Sequence, residues 1–178
     1  PPLSYCVEYK FDGLTVNLTY ENGLLAVAAT RGNGEVGEMI LPQVRTVNDI
    51  PLSIPYQGQI EIQGECIMRL SVLKAYNQNA TEKLKNARNA AAGALRNLDP
   101  RVTASRRLST YFYDIGTIEN PPYKEQAELF SFIVENGFPV SQLLMQSNDK
   151  DALADFVAGL EEGRHNLDFL IDGAVIKV

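Results

Sequence analysis

Several things this chain lacks narrow its function before any motif is considered. Across 178 residues there are two cysteines, Cys6 and Cys66, and one histidine, His165. Two cysteines far apart form neither a CxxC pair nor a disulfide framework, and a Cys/His zinc site within these residues is excluded by ligand count. They read as two core thiols. No apolar run approaches the ~20 residues needed to span a bilayer, so no membrane partner is expected. No Gly-x-Gly-x-x-Gly follows a first strand and there is no Gly-Lys-Ser/Thr loop, so the dinucleotide and P-loop folds lack their phosphate-binding fingerprints. No internal repeat or low-complexity linker is present. The opening Pro1-Pro2-Leu3-Ser4 lacks an initiator Met and a signal pattern. With an apolar run at the other end, the chain reads as a fragment cut at both ends.

What is present is a mildly acidic globular composition. Sixteen Lys and Arg stand against 22 Asp and Glu, a formal charge of -6, with 45% apolar residues. This length suits one domain with a real core. The charge argues against a wholly basic nucleic-acid binder but allows a local basic groove.

The periodicity predicts strand over residues 3–12 and a hairpin over 14–30 turning at Asn22-Gly23, where both residues tolerate positive φ. An alternating strand follows from Ile60 to Met68. Ser71 is a candidate cap for a short helix carrying Val72, Leu73 and Tyr76. A small-residue helix over 88–98, with Ala90, Ala91, Ala94, Leu95 and Leu98 in its stripe, ends at Asp99-Pro100. Strand is expected from Leu108 to Ile115 and helix over 124–135 and 149–162, the latter capped by Asn148. Asp172-Gly173 leads into a last strand. Short strands with scattered helices give an α+β fold with antiparallel sheets and flanking helices.

The most informative segment is Glu8-Tyr9-Lys10-Phe11-Asp12-Gly13. On a regular strand Glu8, Lys10 and Asp12 share a face, so an ammonium lies between two carboxylates. That is either a structural ion pair or a nucleophilic amine, which must shed its proton before attack. Lys177, in Asp172-Gly173-Ala174-Val175-Ile176-Lys177, is a second lysine inside an apolar strand. If Ile176 packs on the core, Lys177 points into a cleft, where it could neutralise phosphate charge; otherwise it is a solvent-facing residue. Arg88 and Arg96 are eight apart, near two helical turns and one face, and guanidinium groups suit phosphate. Arg31 opens the glycine-rich Arg31-Gly32-Asn33-Gly34. Glu65, after Gly64, is a candidate for a ribose hydroxyl or a metal, or else an ordinary surface residue.

In this order, these segments resemble the adenylation domain of bacterial NAD-dependent DNA ligases. The matching set is Glu8 to Gly13, Tyr20-Glu21-Asn22-Gly23, Ala29 to Gly34 with Gly37-Glu38, Val44-Arg45-Thr46, Gly64-Glu65, Arg88-Asn89-Ala90-Ala91-Ala92-Gly93 through Leu98-Asp99-Pro100, and Asp172 to Lys177. The Arg-Asn-Ala-Ala-Ala-Gly stretch separates this family from ATP-dependent ligases and capping enzymes.

The resemblance implies the covalent nucleotidyltransferase (ATP-grasp-like DNA ligase adenylation) fold over residues 1–178. It implies that Lys10 attacks the α-phosphate of NAD, the adenylyl donor, and that AMP passes to the 5′-phosphate of nicked duplex DNA for joining to the 3′-hydroxyl. Catalytic roles would fall to Lys10, Asp12 and Lys177, and nucleotide contacts to Glu8, Arg31, Glu65, Asp172 and Lys177. Arg88 and Arg96 would serve DNA or adenylate phosphates. Magnesium or manganese would assist, and no metal ligand is assigned within the chain. A monomeric bacterial protein of the cytoplasm, working at the nucleoid, is implied. The family's nicotinamide-mononucleotide-recognition domain, OB-fold, zinc module, helix-hairpin-helix repeats and BRCT domain have no counterpart here. The fragment is therefore expected to bind NAD or AMP yet to be weak or inactive in full ligation. An ATP-using covalent nucleotidyltransferase and a nucleotide-binding module without turnover are the alternatives. Departures are Asn33 where Asp is usual, Met39-Ile40-Leu41-Pro42 in place of a polar run, Gln63 for Arg and Ala87 for Pro.

Overall fold

The computed structural model describes residues 3–32 and 37–178. Among the described residues, seven strands form two antiparallel sheets. The larger has the order β3-β2-β4-β5, from β2 (Leu14–Glu21), β3 (Leu24–Thr30), β4 (Ile60–Ile67) and β5 (Ser109–Ile118). The smaller has the order β6-β1-β7, from β1 (Tyr5–Phe11), β6 (Met145–Ser147) and β7 (Ile171–Lys177). The α+β, antiparallel class expected from the sequence is the one observed.

Burial follows the alternation of the strands. Val16, Leu18 and Tyr20 of β2 and Ile60 and Ile62 of β4 point into the main core. The β2–β3 turn is Asn22-Gly23, with φ of 51° and 74°, the left-handed pair that a tight two-residue hairpin demands. Cys6 and Cys66 are both free and buried, as expected of core thiols.

The helices are α1 (Leu41–Val44), α2 (Leu70–Asn79), α3 (Ala87–Leu95), α4 (Pro100–Ser105), α5 (Gln126–Glu135) and α6 (Lys150–Gly163). Helix α3 buries Ala87, Ala90, Ala91, Ala94 and Leu95, and these short side chains let it lie close against the sheet. The helix stops there: Leu98 is outside the stripe and 96% exposed. Asp99 caps the separate helix α4 through the Arg101 N–H, with Pro100 at its first position; the sequence pattern predicts only a helix end at these residues. Two other caps differ from expectation. Arg69 stands at the cap position of α2, and Ser71, inside the first turn, donates its N–H and Oγ–H to Asp168. Asp149, not Asn148, caps α6, its carboxylate accepting from the N–H of Asp151 and Ala152.

The two sheets are pinned where β1 ends. The Phe11 ring stacks on Tyr111 of β5 with centroids 4.5 Å apart and planes 7° from parallel. Phe169, just before β7, packs against Phe11 and Tyr111 at 5.2 and 5.9 Å. Such pairs add directional attraction to their area burial. They hold the strand that carries Lys10 against the larger sheet.

Candidate active site

A cavity of about 380 Å³ opens where the sheets meet, within the size range of small-molecule sites. Strand alternation delivers Glu8 and Lys10 from β1, and Val175 and Lys177 from β7, to the same opening. These strands are neighbours in register, Glu8 opposite Val175 and Lys10 opposite Gly173. Asp12 reaches the cavity from the turn after β1, since the pairing shifts register between Lys10 and Phe11. Thr15, Arg31, Glu65, Arg88, Tyr113, Asp114 and Asp172 also line it, and Tyr9, Phe11 and Gly13 complete the wall. Thus every residue expected in the site lines the cavity except Arg96.

The ion pairing is not the one the linear order suggests. Glu8 and Asp12 do not bracket Lys10. Lys10 Nζ donates to both oxygens of Asp172, at 2.8 and 2.7 Å. Asp12 accepts from Arg88 at 2.8 Å. Glu8 takes Lys177 at 3.2 Å, and Lys177 also donates to the Tyr113 carbonyl at 2.7 Å. Each cation needed a counter-ion, and long-range pairing between β1, β7 and α3 supplied different ones from the chain neighbours. Lys177 does point into the cleft, yet Ile176 on the opposite face is 50% exposed. The condition set on Ile176 is thus not met; the lysine is directed inward by the pairing of β7 with β1, by Glu8 and by the Tyr113 carbonyl.

Two carboxylates are perturbed. Glu65 is pushed up to about 7, because burial outweighs the Thr15 hydroxyl and Gly13 N–H it accepts and the charge of Arg88. The Thr15 bond is 3.0 Å. Glu8 is also raised, by burial first, with Lys177 opposing. Glu8 Oε1 is buried without a hydrogen-bond partner. A buried acceptor left open is costly, and here it lies in the wall of a ligand-sized cavity.

Arg96 falls at the C-cap of α3 and pairs with Glu38 at 2.8 Å, away from the cavity. The eight-residue spacing alone does not bring both arginines to one ligand. Arg31 lies in the wall, whereas Asn33 and Gly34 of its turn lie outside the described residues. Tyr113 and Asp114 are wall residues that no motif marked. Alternation in Tyr111 and Tyr113 pointed to the strand, but nothing local said which face met a cavity. Among the described residues, no group of three or more His, Cys, Asp or Glu side chains is placed to hold a metal. No described helix is long and apolar enough to cross a membrane.

The cleft between the two antiparallel sheets thus brings together two lysines from adjacent strands and two buried glutamates. The chain belongs to the NAD-dependent DNA ligase adenylation domain family, whose model matches residues 1–178. It is similar to a DNA ligase of Alkaliphilus oremlandii, 54% identical over 177 residues, covering 99% of this chain and 27% of that protein. A DNA ligase of Finegoldia magna is 48% identical over 178 residues, and one of Clostridium perfringens 44% over 179, each again with 27% of its length covered. The chain therefore spans about a quarter of the curated relatives it matches.

Proposed function

We propose that this chain is the adenylylating core of an NAD-dependent DNA ligase, with Lys10 as the nucleophile. The observation that carries the reading is the convergence of Lys10 and Lys177 from adjacent strands into one cavity walled by Glu8, Glu65 and Arg88. Lys10 Nζ releases Asp172, gives up a proton by way of that carboxylate and attacks the α-phosphorus of NAD. A P–N bond forms and the P–O bond to the bridging oxygen breaks. Nicotinamide mononucleotide departs with that oxygen and AMP stays on the lysine. A 5′-phosphate oxygen of nicked DNA then attacks the same phosphorus, restoring the amine. The neighbouring 3′-hydroxyl finally displaces AMP.

The remaining residues have matched tasks. The open Glu8 Oε1 accepts an N–H from the adenine edge, which would satisfy it. Glu65, titrating near neutrality, serves a ribose hydroxyl as donor or acceptor. Lys177 meets developing phosphate charge, and Asp172 orders Lys10. Arg31 borders the nucleoside and Arg88 the phosphates in the cavity, while Arg96, on Glu38 outside it, is left to DNA phosphates. Magnesium or manganese would assist by neutralising charge at the substrate phosphates. Sealing requires the whole ligase, of which this chain matches 27% in the Alkaliphilus relative, and a bacterial cytoplasmic setting accords with such relatives.

Intact mass after incubation with magnesium and either NAD or ATP tests this. One adenylyl unit gained from NAD, and lost in Lys10→Ala, is expected. Labelling from ATP alone, or labelling that survives Lys10→Ala, overturns it.

A further inference from the structure

The groups that hold Glu65 come from the same short stretch of chain that carries the lysine. Strands β2 and β4 are antiparallel neighbours, and Thr15 stands directly opposite Glu65. Residues in direct register project from the same face of a sheet, and both of these line the cavity. The Thr15 Oγ1–H donates to Glu65 Oε2 at 3.0 Å. Gly13 gives its N–H to the same carboxylate. The two donors follow Lys10 by three and five residues in the sequence Lys10-Phe11-Asp12-Gly13-Leu14-Thr15.

Burial makes these donors decisive. Glu65 is 8% exposed, and a carboxylate removed from water must take its orientation from the donors around it. The Thr15 hydroxyl is the largest influence opposing the upward push of burial on Glu65, ahead of the Gly13 N–H and the charge of Arg88. The Arg88 guanidinium is itself bonded to Asp12 at 2.8 Å. A carboxylate offers roughly four lone-pair positions. Thr15 and Gly13 take one each, which fixes the group and leaves the rest to a ligand in the cavity.

We propose that Thr15 is the positioning residue that sets Glu65 for the sugar of the nucleotide: its hydroxyl holds Oε2, so that the remaining acceptor positions meet a ribose hydroxyl. The proposal rests on the reading of Glu65 as the ribose partner and adds the residue that decides how strongly the site prefers a ribose over a sugar without hydroxyls. A fixed, buried acceptor gains a hydrogen bond from a sugar that has a hydroxyl to donate and is left unpaired by one that has none. Thr15 touches neither the amine nor the phosphate. Its effect therefore falls on binding, not on the bond changes at phosphorus. Because Gly13 and Thr15 belong to the turn that follows Lys10, one turn registers both the sugar's anchor and the nucleophile.

AMP and 2′,3′-dideoxy-AMP, which has no sugar hydroxyl, are titrated calorimetrically into the unaltered chain, Thr15→Val and Thr15→Ser, with urea midpoints measured beside them. Valine keeps the shape of the side chain and removes the donor, whereas serine keeps the donor. The unaltered chain is expected to bind AMP at least ~10-fold more tightly than the dideoxy form. Thr15→Val should lose about 10-fold in AMP affinity and bind the dideoxy form as the unaltered chain does. Thr15→Ser should restore AMP binding to within about 3-fold. In labelling by NAD, Thr15→Val should raise KM and leave kcat little changed, the pattern of a contact made equally before and during transfer. Thr15→Ala, which also lacks the donor, repeats the comparison if the valine variant does not fold. Equal losses for the two nucleotides would show that the threonine only supports the sheet, and overturn the proposal. A sugar preference that persists in Thr15→Val, a serine variant that does not rescue, or a fall in kcat at unchanged KM does the same. If the unaltered chain binds neither nucleotide, the adenylate reading falls along with it. If Lys10 fails to label while the sugar preference and its loss in Thr15→Val hold, it is the lysine chemistry alone that falls.

Discussion

Lys10 Nζ sits within 2.8 Å of both oxygens of Asp172, a residue 162 positions further along the chain. The pairing ties the amine to the partner strand β7. Both side chains are about half exposed, so the pair adds little to stability. Asp172→Ala is expected to leave the unfolding midpoint nearly unchanged, within ~1 kcal/mol. It should slow adenylylation of Lys10 by about 10- to 100-fold, because a misplaced nucleophile forfeits its alignment. Rapid-quench mass spectrometry beside urea unfolding reads both. A large loss of stability with an unchanged rate would reverse the assignment.

Lys177 and Glu8 should behave in the opposite way, since their side chains are 20% and 4% exposed. Lys177→Met strands a buried carboxylate and should cost about 3 kcal/mol at neutral pH. Glu8 is already raised by burial, and removing Lys177 raises it further. Its folded form then favours the neutral acid, and the stability this confers is fully present below the unfolded carboxyl range and lost as pH rises. The penalty of the substitution should therefore be smaller at pH ~5 than at pH ~8. Urea midpoints at the two pH values decide the matter.

Glu65 provides a second pH signature of the same sign. Its folded pKa of about 7 exceeds that of an unfolded glutamate, near 4.3, so the folded chain binds the extra proton. Its contribution favours the folded state at low pH and declines as pH rises from about 4.3 to about 7. Glu65→Gln keeps an acceptor for Thr15 and cannot ionise. The variant should flatten the fall of thermal midpoint across that window and be the more stable protein at pH ~8. Parallel curves for the two proteins would show that Glu65 stays charged when folded.

Gly13 ties the lysine segment to Glu65. A Cβ there would collide with the Cys66 carbonyl and lie 2.8 Å from Ile67 Cγ2, and its N–H is among the donors to Glu65. Neither obstacle is the tip of a flexible side chain. Gly13→Ala should destabilise the chain by about 1–3 kcal/mol and reduce Lys10 labelling by pushing the β1–β2 turn away from β4. Calorimetry with the labelling assay reads the two effects together.

Local pattern made the Asn22-Gly23 hairpin and the alanine face of α3 legible, because each rests on residues within a few positions. For the cavity, only the same-strand neighbours were legible in this way: alternation puts Glu8 with Lys10, and Val175 with Lys177. The pairings were not legible. Lys10 with Asp172, and Glu8 with Lys177, depend on β1 lying beside β7, which no local spacing encodes. Arg96 shows the reverse error. Its helical phase matched Arg88, yet its place at the end of α3 turned it to Glu38. Tyr113 and the cap switch from Ser71 to Arg69 were hidden for the same reason, as both depend on which distant element arrives alongside.

On the reading proposed above, the pairing of β1 with β7 also sets when the site is complete during synthesis. A ribosome-bound chain that has folded β1 through α6 carries Lys10 without Asp172 to aim it and without Lys177 to receive phosphate charge. Only when β7 zips onto β1 do all three groups meet. On the proposed chemistry, a copy halted before β7 would lack both partners of the site, and a strand translated long after Lys10 is the one that completes it.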